Sequence, residues 1–226
     1  VPISVDTFLR YFEDVKLFIY RGYSLEARDL LYLLIDSILK DDYKYRLPFS
    51  PQLLNGFRNF NINRNLHESM IHAYLSTQWR HCFFELYRCI EPAFNTLHAK
   101  ILKIDLNLSQ SMEEVDRIIR KNNMVIPEEI FAVKELFQRF IPTDLAEEFY
   151  NFFKINDKDR HASMIGTRIY KLRNSIVHHP LSASSKKDIT DASLDHNKYN
   201  DENWNELCCL MLKAVEKIYL SLNLGV

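Results

Sequence analysis

The stretch LSTQWRHCFFELYRCIEPAFNTLHAKI, residues 75–101, decides the fold class. Leu75, Trp79, Cys82, Leu86, Cys89 or Ile90, Ala93, Leu97 and Ile101 recur at alternating spacings of three and four. That is the stripe of a packed helix, and nothing in the stretch alternates with the period of two that a strand needs. The periodicity predicts one long helix from Leu66 to about Ile104, kinked at Pro92 because the Arg88 carbonyl loses its hydrogen-bonding partner.

Outward from this helix the pattern repeats in shorter units. Toward the N-terminus, Phe8, Leu9, Phe12, Val15 and Ile19 predict a helix over Val5–Arg21, and Ser24 caps a second one. Ser50-Pro51 opens a short helix through Phe57, and the Asn-rich run Asn59–Asn65 reads as a linker. Toward the C-terminus, helices are expected over Ser109–Lys121, Pro127–Phe140, Thr143–Phe153 and Asp159–His178. The Asp159–His178 helix turns Ile165, Ile169, Leu172 and Ile176 to the core. A polar loop spans Leu181–Asn200, and a last helix runs from Glu202 to Leu222. Four glycines in 226 residues leave few tight turns, so the expected class is all-α. The expected architecture is a helical bundle over 66–226 with an N-terminal helical appendage over 1–65.

Composition narrows the function classes. The hydrophobic fraction of 47% is that of a globular chain, and no apolar run is long enough to span a bilayer. The N-terminus lacks a signal-peptide pattern, and the four cysteines have neither a disulfide-scaffold density nor zinc-site spacing. A reducing, cytoplasmic setting without membrane, metal or cofactor is expected. The chain begins at Val1 instead of Met, the beginning expected of a piece of a longer protein. Net charge is −1, yet Lys154 to Lys187 holds eight Lys/Arg against Asp157 and Asp159. That local basic excess surrounds the most chemically suggestive motif in the chain.

The motif is Lys171-Leu172-Arg173-Asn174-Ser175-Ile176-Val177-His178-His179-Pro180. Asn174 and His178 stack on one helical face, while Arg173 and His178 diverge by about 140°. Arg offers a bidentate cationic fork for phosphate, and His transfers protons near neutrality. Bare Arg-x4-His spacing arises by chance about half a time in a chain of this composition, so context has to carry it. A competing reading is a helix C-cap, in which Arg and His neutralise the last carbonyls. The histidines of His67-Glu68-Ser69-Met70-Ile71-His72 are one residue too far apart for the zinc-protease arrangement. Phe83-Phe84 and Phe149-Tyr150-Phe152-Phe153 are read as core more readily than as base-stacking platforms. Glu85 and Glu91 are read as solvated or paired carboxylates of a long helix more readily than as partners of the motif, and His81 reads as a packed or surface histidine.

A long helix bearing Trp79-Arg80-His81-Cys82-Phe83-Phe84-Glu85-Leu86-Tyr87-Arg88, shorter helices, and then Arg173-Asn174-Ser175-Ile176-Val177-His178 resemble the HEPN superfamily of helical domains. Its members share an Arg, a following polar residue and a His after four to six intervening residues. The resemblance spans roughly Leu66 to Leu222. It implies a homodimer that brings two motifs into one cleft, and metal-independent ribonuclease activity in a defence, abortive-infection or toxin setting. It also implies a sensor domain or antitoxin as a further partner. Carried onto this chain, Arg173 clamps phosphate, His178 transfers protons and Asn174 orients, with His179 an accessory candidate. Arg168, Lys171, Lys186 and Lys187 are weaker candidates for contact with the RNA substrate. The Tyr that follows the His in members regulated by nucleotide addition is absent, since His179-Pro180-Leu181 stands there. The alternative expectation is a non-catalytic RNA- or nucleotide-binding, or dimerisation, module of the same type.

Overall fold

The computed structural model describes residues 47–60, 66–105, 109–111, 114–115, 117, 128–177 and 195–223. The expected helices at Val5–Arg21 and after Ser24, most of the one at Ser109–Lys121, and most of the polar loop lie outside the described residues. The described elements are α1 (Pro51–Asn59), α2 (His67–Leu75), α3 (Trp79–Arg88), α4 (Glu91–Asp105), α5 (Glu129–Phe140), α6 (Thr143–Phe152), α7 (Ala162–Val177) and α8 (Asp201–Leu222). Short 3-10 turns occupy Asp157–Asp159 and His196–Lys198. Among the described residues there is no strand, and the expectation of an all-α protein holds. No helix among them is long and apolar enough to cross a membrane.

The C-terminal helix α8 is the hub. Trp204, Leu207, Cys208, Leu210, Met211, Leu212, Ala214, Val215, Ile218, Tyr219 and Leu222 are all buried and cover about 200° of its circumference, while Glu206, Lys213, Lys217 and Leu220 are exposed on the other side. A face that wide needs several partners, and α1, α3, α4, α5 and α6 all pack on it. Asn200 starts it with a reciprocal capping box: its side chain accepts from the Asn203 N–H at 2.9 Å, and the Asn203 side chain accepts from the Asn200 N–H at 3.3 Å. Asn223 ends it in the left-handed conformation at φ 55°.

Helix α3 runs parallel to α8. The Trp79 Nε1 donates to Asp201 at 2.8 Å at one end, and Tyr219 Oη donates to the Cys89 carbonyl at 2.8 Å at the other. Helix α1 is tied to the same helix through Asn205, which accepts from the Ser50 N–H at 2.7 Å and donates to the Pro48 carbonyl at 2.8 Å. Leu53 and Phe57 of α1 are buried in one hydrophobic core with residues of the downstream helices, and Phe49, Phe57, Tyr74 and Trp79 form a set of ring contacts.

The single long helix expected over Leu66–Ile104 is instead three helices. Ser76 turns its hydroxyl back to the His72 carbonyl at 2.8 Å and Gln78 is extended, which separates α2 from α3. Cys89 and Ile90 separate α3 from α4, where Tyr219 satisfies the Cys89 carbonyl. Pro92 therefore lies in the first turn of α4, where its missing N–H has no partner to lose. Leu75, expected on the core stripe, is 49% exposed because α2 ends there. Of the rest of the stripe, Trp79, Cys82, Leu86, Cys89, Ile90, Ala93 and Leu97 are buried and Ile101 is partly buried against the core. Phe83, Phe149, Tyr150 and Phe153 are buried as core.

Helix α7, expected from Asp159, begins at Ala162, and the preceding Asp157–Asp159 forms a 3-10 turn. It packs most extensively on α5, and Gly166 makes the close approach possible. A methyl group at Gly166 would stand 2.8 Å from the Lys134 Cα and 2.9 Å from the Val133 carbonyl oxygen. The helices run in opposite senses, since Gly166 faces Val133–Lys134 while Arg173, seven residues on, faces Glu129. At Gly56 the corresponding methyl would meet only the Leu212 Cδ2, at 2.6 Å, the movable end of a side chain. Both glycines are helical, so alanine brings about 1 kcal/mol of propensity at each. Gly166→Ala is expected to destabilise by about 1–3 kcal/mol, because backbone must move, and Gly56→Ala to change stability by less than about 1 kcal/mol. Urea denaturation of the two variants checks this, and equal midpoints would contradict the role given to Gly166.

Candidate functional site

Arg173 is the centre of a region where, among the described residues, the sequence motif and a cluster of ionisable side chains coincide. Four helices contribute. Arg173 and Asn174 come from α7, Phe84 and Tyr87 from α3, Glu91 from the start of α4, and Glu129 from the start of α5. Acidic residues at these two positions suit the partial positive charge of a helix N-terminus. The antiparallel pairing of α5 and α7 then brings Glu129 to Arg173, and the break at Cys89–Ile90 turns Glu91 toward the same point.

The geometry is tight on one side and open on the other. The Arg173 side chain is only 18% exposed, whereas Glu91 and Glu129 are 38% and 30% exposed. Its Nη2 lies 3.9 Å from Glu91 Oε1 and 3.6 Å from Glu129 Oε1, and its Nη1 donates to Asn174 Oδ1 at 2.9 Å. The guanidinium stands over the rings of Tyr87 and Phe84, 5.5 and 5.8 Å from their centroids. Tyr87 Oη donates to Glu129 Oε1 at 2.7 Å. Nε of Arg173 is buried and has no hydrogen-bond partner among the described residues.

These contacts decide one question left by the sequence. Among the described residues Arg173 engages side chains of α3, α4 and α5 and its neighbour Asn174, and no carbonyl of its own helix end. A C-cap role does not account for the contacts that Arg173 makes among the described residues. Asn174 acts on the arginine, fixing one of its two terminal nitrogens.

The electrostatics are unusual for a cationic site. Two carboxylates face one guanidinium. Burial pushes the Glu91 carboxyl above the usual carboxylate range, with Arg173 pulling it back and Glu129 pushing it further up. Burial, and then the bond to Glu129, push the Tyr87 hydroxyl far up, so it remains a proton donor to that carboxylate at any ordinary pH.

The other sequence candidates are placed as follows. Arg168 is half-buried on another side of α7, with its electrostatic neighbours Tyr199 and Asp159, and burial lowers its pKa. Lys171 is exposed. Neither is among the Arg173 contacts described above. His178, His179, Lys186 and Lys187 lie outside the described residues. His67 is buried and His72 is exposed, so that pair is not brought together, and His81 is exposed. No group of three His, Cys, Asp or Glu residues suited to a metal occurs among the described residues. Phe84, Tyr87 and Glu129 were not foreseen as parts of this site. The available signal was an acid at the start of each of two helices, near Pro92 and Pro127.

No family model, no curated protein and no solved structure matches this chain. The cluster itself makes a physical prediction. Arg173→Met leaves Glu91 and Glu129 facing each other without a cation, at an expected cost of about 1–3 kcal/mol near neutrality. Without Arg173 to pull it back, the Glu91 carboxyl, raised by burial and by Glu129, binds its proton more tightly folded than unfolded, so the variant's stability falls as pH rises through its folded pKa. The deficit relative to wild type is therefore largest near neutral pH and shrinks on acidification. Urea denaturation at neutral and mildly acidic pH measures it, and a deficit independent of pH would contradict the electrostatic account.

Proposed function

We propose that the chain is a metal-independent endoribonuclease of HEPN type, acting as a homodimer, in which Arg173, Asn174 and His178 form the catalytic constellation. The observation that carries this reading is the guanidinium of Arg173. It is fixed by Asn174, set over two aromatic rings and partly open to solvent, on the helix whose motif continues into His178. The all-α architecture also fits it.

In the mechanism, the ribose 2′-OH next to the scissile phosphate attacks phosphorus, and the 5′-oxygen of the following nucleotide leaves. The crowded phosphorane carries additional negative charge on its non-bridging oxygens, which Arg173 neutralises by a charge-assisted fork. Asn174 holds Nη1 so that the fork is aimed before substrate arrives. His178 removes the 2′-OH proton or supplies one to the leaving oxygen, and its counterpart in the second subunit takes the other role. His179 is the accessory candidate. DNA lacks the nucleophile and is not cut by this route.

A second reading, a non-catalytic RNA- or nucleotide-binding or dimerisation module, is favoured by one observation. Glu91 and Glu129 already face Arg173, so a phosphate has to compete with them. The assay that separates the two readings incubates wild type, Arg173→Ala and His178→Ala with labelled total RNA in EDTA. Cleavage by wild type to ends bearing 2′,3′-cyclic phosphate is expected, lowered about 10²–10⁴-fold in each variant. Sedimentation is expected to give a dimer. Undiminished cleavage by His178→Ala, or a strictly monomeric active protein, would overturn the proposal. RNA binding without cleavage would establish the second reading.

A further inference from the structure

The charge balance around Arg173 poses a problem that the catalytic proposal leaves open. One guanidinium and two carboxylates sum to −1 with both acids ionised, so a phosphodiester carrying its own negative charge would enter a repulsive site. The starts of α4 and α5 add partial positive charge of about one half each, which only brings the sum near zero. With one carboxyl protonated the sum becomes positive by about one charge, and the fork of Arg173 faces an anion without competition.

The two acids are not equivalent. Glu129 is held by the Tyr87 hydroxyl at 2.7 Å and by Arg173 at 3.6 Å. Among the described residues Glu91 has the longer Arg173 contact, at 3.9 Å, as its one ion pair, and it is the more exposed of the two. The charged or titratable neighbours of Glu91 among the described residues come from three of the packed helices. Arg88, Glu85 and Tyr87 come from α3, Glu129 from α5 and Arg173 from α7. Arg88 is drawn to Glu85 at 3.3 Å and lowers the Glu91 carboxyl less than Arg173 does.

We propose that Glu91 is the proton-exchanging group of the Arg173 site: it takes up a proton from solvent as an RNA phosphate binds, and releases it when the phosphate leaves. The neutral carboxyl then donates its hydrogen to a non-bridging phosphate oxygen beside the Arg173 fork, replacing a repulsion with a hydrogen bond. Burial of Glu91 favours its neutral form and so lowers the cost of the uptake. The inference rests on the reading that Arg173 receives phosphate.

The test uses a short fluorescein-labelled single-stranded RNA with 2′-O-methyl riboses, which lacks the nucleophile, and the full chain as wild type, Glu91→Gln and Arg173→Ala. Affinity is followed by anisotropy from mildly acidic to mildly alkaline pH. Proton uptake is read by calorimetry in two buffers of different ionisation enthalpy. Wild-type affinity is expected to fall with rising pH, by up to about tenfold per pH unit above the Glu91 titration for one linked proton. Proton uptake is expected alongside it. Glu91→Gln, which mimics the neutral acid, is expected to lose that part of the slope and of the uptake, and to bind more tightly than wild type at the alkaline end. A Glu91→Gln protein that keeps the wild-type slope and uptake, while Arg173→Ala loses binding, would overturn the role of Glu91 and leave the phosphate reading standing. Arg173→Ala that binds as wild type would overturn the phosphate reading and this inference together.

Discussion

The constraint on which the rest depends is the burial of α8. A 22-residue helix that buries eleven side chains over more than half of its circumference has no stable position unless other helices cover that face. Five of the described helices meet that requirement, and polar ties fix where α1 and α3 sit along it: Trp79 to Asp201, Asn205 to the segment before α1, and Tyr219 to the Cys89 carbonyl. Hydrophobic burial supplies the driving force and sets no register by itself. The ties supply direction, each at a helix end where a backbone or side-chain group would otherwise lack a partner. Tyr219 has the largest consequence, because satisfying the Cys89 carbonyl makes the break between α3 and α4 tolerable. That break swings Glu91 to the side where α7 presents Arg173.

The Arg173 cluster is thus a by-product of helix packing that acquires chemical character from its position. The close approach of α7 to α5 at Gly166 puts Arg173 opposite the first residue of α5. Two helix starts, two carboxylates, two aromatic faces and one guanidinium meet in a place neither fully buried nor fully wet. Full burial would favour a locked ion pair, and full exposure would screen the charges to near irrelevance. At intermediate burial the balance can be shifted by one proton or one incoming phosphate. This is why the same cluster admits both a structural and a functional reading, and why the choice rests on what it does with RNA.

The helical class was legible because glycine is scarce and apolar residues recur at three and four. The last helix was placed within one residue of its start, and α1 was foreseen from Ser50-Pro51. The breaks around α3 were not. Residues 75–101 keep their helical spacing across both interruptions, and no glycine or proline marks Ser76–Gln78. Ser76 ends α2 by a bond back to His72, and the Cys89 break depends on Tyr219, more than a hundred residues away. Periodicity carries no record of either. The site divides the same way: Arg173 and Asn174 stand in a contiguous motif, while Glu129, Tyr87 and Phe84 reach Arg173 only through the packing of α3, α5 and α7.

The most direct test of the central claim watches the Arg173 guanidinium itself. In a protein carrying nitrogen-15 arginine, the Nε–H signal of Arg173, assigned by its loss in Arg173→Lys, is followed while the 2′-O-methyl RNA is added. This nitrogen is buried without a hydrogen-bond partner among the described residues, so engagement of the guanidinium by phosphate has a sensitive reporter beside it. The account predicts a saturable shift of this signal that tracks RNA binding. Saturation of RNA binding with the Arg173 signal unmoved would contradict it, and would leave the cluster a structural junction of four helices.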